Sequence, residues 1–144
     1  VGRAAAYGHA AAELVGGGVR VPGEAARVGD GVARWLRRHW QAPCPPLLSS
    51  FEPAALQAAD AADGDWPLAL LLERWQPDAP EQALALHARA VVCHHASLDA
   101  AAVQALHDQG LKALSYTVND AAEVSRLRRA GIDGLITDRL DLRD

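Results

Sequence analysis

The residues best suited to chemistry recur at one kind of place, the end of a short apolar run. Ser49-Ser50-Phe51, Glu73-Arg74-Trp75, His94-His95, Tyr116-Thr117-Val118-Asn119 and Thr137-Asp138-Arg139 each close such a run, while the opposite ends carry mostly Pro, Leu, Ala and Gly. Hydroxyls, imidazoles, amides and aromatic rings gathered in this way can hydrogen-bond to a small polar molecule and stack on it. Each also has a structural role to weigh. Ser50, Asn119 and Asp138 stand where helices or turns need caps, and Phe51 and Trp75 have the bulk of packing residues. His94-His95 looks at first like a metal pair. Consecutive strand residues point to opposite faces, however, so only one imidazole can face a barrel interior and the other meets a helix. Cys93 with His94 fails the same test, and the sequence lacks the two spaced pairs of a structural zinc site. It also lacks paired carboxylates for acid and base work, a Gly-rich phosphate loop and a nucleophile elbow. Gly131-Ile132-Asp133-Gly134 reads as a helix stop followed by a tight turn.

The elements that would position these residues are legible. Apolar runs at 47–50, 68–73, 90–95, 112–118 and 134–138 read as buried strands whose centres recur at about 22 residues. Between them lie helical segments: Pro53 suits a first turn before Leu56, and Pro80 one before Leu84. Asp99 caps a helix that stops at Gly110, and Asp120 with Glu123 forms a capping-box pattern for a helix ended by Gly131. Alternating strands and helices at this period are the βα units of a parallel α/β fold. A complete eight-stranded barrel takes about 250 residues, so 144 residues hold only about five such units. An open flavodoxin-like sheet is the rival fold, but no phosphate-binding loop follows the first strand. Residues 1 to 31 differ: they are dominated by Ala and Gly, carry the triple glycine Gly16 to Gly18, and predict little fixed structure, with regularity from about Val32.

Composition removes other classes. With 50% hydrophobic and 22% charged residues and a net charge of -4, the chain is neither disordered nor membrane-spanning, since no run reaches the roughly 18 apolar residues of a span. A pI near 5.8 argues against nucleic acid as the main partner. Two cysteines, Cys44 and Cys93, are too few for a disulfide scaffold and fit a reducing cytoplasm. The chain begins at Val1 without the charged and apolar blocks of a signal peptide, and reads as a piece of a longer product.

Five segments in order carry a resemblance: PPLLSSFEPAAL (45–56), LALLLERW (68–75), His95 with Leu98-Asp99, GLKALSYTVND (110–120) and AGIDGLITDRLDL (130–142). Together they resemble the carboxyl-terminal part of the glycerophosphodiester phosphodiesterase family, closest to its bacterial cytosolic type. The resemblance implies an α/β fold of the TIM type, here about five βα units of the (β/α)8 barrel of PLC-like phosphodiesterases. It implies hydrolysis of glycerophosphodiesters to glycerol 3-phosphate and an alcohol with Mg²⁺ or Ca²⁺. Matched residue by residue, it implies substrate-binding roles for Ser50, Phe51, Trp75, His95, Tyr116 and Asn119. The family's early His-Arg, Glu-x-Asp, second His and Glu-x-Lys motifs find no match. The place of the last falls near Gly18 and Arg20. Catalytic residues and metal ligands are therefore expected outside this chain, which should be inactive alone. Residues 1–20 are expected to be irregular or frame-altered, and 21–144 to form a partial barrel domain that self-associates through open sheet edges. The alternative is a non-catalytic α/β module that binds a phosphorylated small molecule or a partner chain.

Overall fold

A computed structural model of the chain describes residues 12–13, 23–139 and 141. Six parallel strands form one sheet in strict chain order: β1 (Ala12–Glu13), β2 (Leu48–Ser50), β3 (Leu68–Leu72), β4 (Ala90–His94), β5 (Lys112–Tyr116) and β6 (Gly134–Leu135). Helices α1 (Glu24–His39), α2 (Pro53–Ala62), α3 (Ala79–Ala85), α4 (Ala100–Asp108) and α5 (Ala121–Ala130) alternate with them. A doubly wound sheet reverses its strand order at a switch point. The order here never reverses, which is the connectivity of a barrel wall, and the flavodoxin-like alternative falls.

Strand alternation sorts the side chains into two layers. Leu68, Leu70, Leu72, Val91, Cys93 and Ala113 point to the helices, where they join Leu56, Leu98, Val103, Leu106 and Leu127 in the main core. Ala69, Leu71, Ala90 and Val92 point the other way and pack with the half-buried Leu47, Phe51, Leu114 and Tyr116 on the inner face. Both layers are apolar, so β3 is buried along its whole length and reads as an unbroken hydrophobic run.

The helix ends follow their sequence signals closely. Pro53 opens α2 and Pro80 lies in the first turn of α3. Asp99 Oδ1 accepts the Ala102 N–H at 2.8 Å to cap α4, and Gly131 ends α5 in the left-handed region at φ 91°. One expectation needs correction. Residues 1 to 31 are not uniformly irregular, because α1 begins at Glu24, well before Val32, and β1 pairs with β2 in the register Glu13↔Ser49. The remainder of the 1–20 segment lies outside the described residues. Glycine content misled here: Gly29 is buried inside α1, and a Cβ on it would stand 2.0 Å from the Ala55 carbonyl oxygen of α2. That glycine allows two helices to touch rather than breaking one.

Candidate functional site at the carboxyl rim of the sheet

Parallel pairing puts the ends of β2, β4 and β5 on one rim, and with them Ser50, His95 and Asn119. The centre of the rim is aromatic. Tyr116 meets Phe51 edge-on at 6.2 Å between ring centroids and His94 edge-on at 5.6 Å, and His94 lies 4.5 Å from His95. Tyr116 also donates its hydroxyl to the Leu72 carbonyl at 3.1 Å, which locks the ring across β3 and β5.

The two histidines are held differently. His94 continues the inward register of Ala90 and Val92 and stands opposite Tyr116. The alternation rule holds, but His94 is the inward member of the pair. His95 begins a single 3₁₀ turn, His95–Ser97, and reaches over α5, where its Nδ1 lies 3.1 Å from Glu123 Oε2. Arg126 completes this cluster by donating to Glu123 Oε2 at 2.9 Å, to the Leu98 carbonyl at 2.8 Å and to the His95 carbonyl at 2.6 Å. The Arg126 hydrogen bond, followed by that of His95, holds the Glu123 carboxyl well below its ordinary range, at about 2. The capping box is accordingly half formed. Asp120 accepts the N–H groups of Ala122 and Glu123, but the Glu123 side chain serves His95 instead of the helix end.

Ser97 ties the neighbouring loops together. Its hydroxyl accepts the Trp75 N–H at 3.1 Å and donates to the His94 carbonyl at 3.2 Å. Burial pushes the adjacent Cys93 thiol up, against the lowering effect of Ser97 and the His94 backbone. A buried neutral thiol is a packing group, not a nucleophile.

The other expected residues divide by environment. Phe51 and Tyr116 share the inner face, whereas the half-buried Trp75 packs against the helix-side core. Ser50 is buried in the helix-facing register of Leu48, and its hydroxyl accepts the Glu52 N–H at 3.0 Å. Asn119 is exposed and fully engaged. Its Oδ1 accepts from Thr137 Oγ1 and the Asp138 N–H, both at 3.0 Å, and its Nδ2 donates to Asp138 Oδ2 at 3.1 Å. Asn119 thus stitches the end of β5 to the segment after β6 through its side-chain amide. Sequence reasoning missed His94, Glu123 and Arg126 as site residues. Counting register from Val92 would have found His94. Locally Glu123 reads as a capping-box residue with Arg126 as its i,i+3 partner, and their link to His95 spans 28 and 31 residues.

The donor set does not fit a divalent cation. Among the described residues no three His, Cys, Asp or Glu side chains converge as ligands, and Mg²⁺ and Ca²⁺ prefer several oxygens. No helix among the described residues is long and apolar enough to cross a membrane.

A parallel sheet in chain order, with polar and aromatic side chains gathered at its carboxyl ends, is a segment of a TIM-type α/β barrel. Residues 25–142 match the glycerophosphoryl diester phosphodiesterase family, and the chain belongs to it. Solved structures agree on the fold. The Oleispira antarctica phosphodiesterase, determined in complex with its product sn-glycerol-3-phosphate, superposes with a TM-score of 0.76 at 24% identity over 82% of this chain and 48% of its own. A glycerophosphodiester phosphodiesterase from Parabacteroides distasonis gives 0.71 at 16% identity over 84% of this chain and 50% of its own. The Thermotoga maritima glycerophosphodiester phosphodiesterase gives 0.61 at 20% identity, covering 81% of this chain and 52% of its own. The chain therefore spans about half the length of the solved structures it matches. A comparison with curated proteins finds no match.

Proposed function

We propose that this stretch supplies the carboxyl-terminal wall of a glycerophosphodiester phosphodiesterase pocket, one that releases glycerol 3-phosphate and an alcohol. The supporting observation is the placement of Phe51, Tyr116, His94 and His95 on one rim of a barrel-ordered sheet. Phe51 and Tyr116 give a glyceryl group an apolar wall, the imidazoles give it hydrogen bonds, and Ser50, Trp75 and Asn119 hold the surrounding loops in shape. Splitting a phosphodiester also requires offset of charge on the phosphoryl oxygens and a positioned acid and base. We assign those duties, with the Mg²⁺ or Ca²⁺ ligands, to the part of the family barrel that this stretch does not span. The two free cysteines fit a cytoplasmic setting.

The test is release of glycerol 3-phosphate from glycerophosphocholine by the purified chain with either cation. No turnover is expected. Metal-dependent turnover that survives repurification and is lost in His95→Ala would place the whole active site within these residues and overturn the division of labour.

A further inference from the structure

The two rim histidines present opposite hydrogen-bonding faces. The Ala96 N–H donates to His94 Nδ1 at 3.3 Å, so that nitrogen carries no proton and neutral His94 is the Nε2–H form, a donor. Glu123 is ionised and can only accept, so His95 Nδ1 carries the proton in their 3.1 Å bond and Nε2 of neutral His95 is a bare acceptor. The rings lie 4.5 Å apart with a 30° tilt. Neither Nε2 bonds to a described residue, and the His95 side chain keeps 27% of its surface exposed. An adjacent donor and acceptor suit two hydroxyls on neighbouring carbons, one accepting and the other donating. A phosphate would want donors from both rings, and the Glu123 carboxylate behind His95 disfavours an anion there.

We propose that His94 and His95 form a paired donor and acceptor site for the vicinal diol of a glyceryl group, with Glu123, braced by Arg126, as the positioning residue that fixes the His95 tautomer. This rests on the pocket reading above and adds to it which atoms recognise the glyceryl end. It also explains what Arg126 does. By bonding both Glu123 and the His95 backbone carbonyl, it sets the carboxylate and the imidazole in one frame.

Long-range ¹H–¹⁵N spectra of the folded chain at about pH 8, above the ordinary histidine range, test this directly. We expect a protonated Nδ1 on His95 and a protonated Nε2 on His94. Glycerol 3-phosphate should move both Nε2 signals, and n-propyl phosphate, which keeps the phosphate but lacks the diol, should not. Glu123→Ala should release His95 toward the Nε2–H form and weaken the diol response roughly tenfold, the scale of a lost charge-assisted hydrogen bond. Glu123→Gln, whose amide oxygen still accepts from Nδ1–H, should restore both. One tautomer shared by both rings, an equal response to n-propyl phosphate, or an unchanged His95 in Glu123→Ala overturns the assignment. Glycerol 3-phosphate that moves Phe51 and Asn119 signals but neither imidazole overturns the diol site while the pocket reading stands. Silence everywhere on the rim removes both.

Discussion

Glu123 carries a pH signature separate from any activity. Its pKa falls from an ordinary 4.5 to about 2 in the fold. A carboxyl with a depressed folded pKa contributes stability that is full above the unfolded value and is lost as pH falls through the folded one. The stability difference between the native chain and Glu123→Gln should therefore be constant above about pH 5 and shrink steadily toward pH 2, read as urea midpoints across that range. A difference that stays flat through the window would mean that the carboxylate is not held by Arg126 and His95. At the opposite end of the sheet Asp133 does similar work under different constraints. Burial raises its pKa, but bonds from Lys112, the Ala113 N–H and His107 outweigh that and hold it below the ordinary range. All three lie at 2.8 Å and join α4, β5 and the turn before β6. Asp133→Asn should cost about 1–3 kcal/mol in urea unfolding, the scale of losing charged hydrogen bonds at a half-screened site, and leave the rim histidine signals in place.

Among the elements, the α1–α2 contact is the most exacting. Gly29 permits it, and the atom that a Cβ would strike is the Ala55 backbone oxygen, which no rotamer change can move aside. Gly29→Ala gains helix propensity on paper, yet overpacking of this kind typically costs about 1–3 kcal/mol. Circular dichroism melts should show a lower midpoint for Gly29→Ala and a modestly higher one for Gly31→Ala, where a Cβ meets nothing within 4 Å and the gain in helix propensity is unopposed. The contrast between these two glycines shows why some elements were legible in the sequence and α1 was only partly so. Strands β3 and β4 declare themselves because their runs are almost wholly apolar and buried on both faces, β2, β5 and β6 through their spacing from these, and α2, α4 and α5 through Pro53, Asp99, Gly110 and Gly131. The value of Gly29 depends on Ala55 in a different helix, which no local pattern encodes. The site divides along the same line. Phe51, Tyr116 and one histidine were readable from their places after strands, but the choice of His94 as the inward ring required exact register. The role of Glu123 required knowing that α5 lies beneath the turn after β4.

On the scale of the whole molecule, the six strands among the described residues, in chain order, stand against the eight that close a barrel of this type. The described sheet ends at β1 on one side and β6 on the other, with Ile136 exposed just beyond the latter. Its inner face is a second apolar layer in which Leu47, Phe51, Leu114 and Tyr116 are only partly covered. In a closed barrel that layer is the packed interior. On an open sheet it is apolar surface next to unpaired strand edges, the combination that drives edge-to-edge association. The purified chain should therefore sediment as a concentration-dependent mixture between about 1 and 100 µM. A charge placed at the edge is a natural deterrent to such pairing. Ile136→Lys should lower the associated fraction severalfold without altering the circular dichroism spectrum, because the Ile136 backbone bonds to Ser115 and Val118 do not involve its side chain. A wild-type chain that stays monomeric across the whole range would show that these residues cover their own inner face. The glyceryl wall would then be part of a self-contained pocket, not one side of a pocket shared with the rest of the barrel.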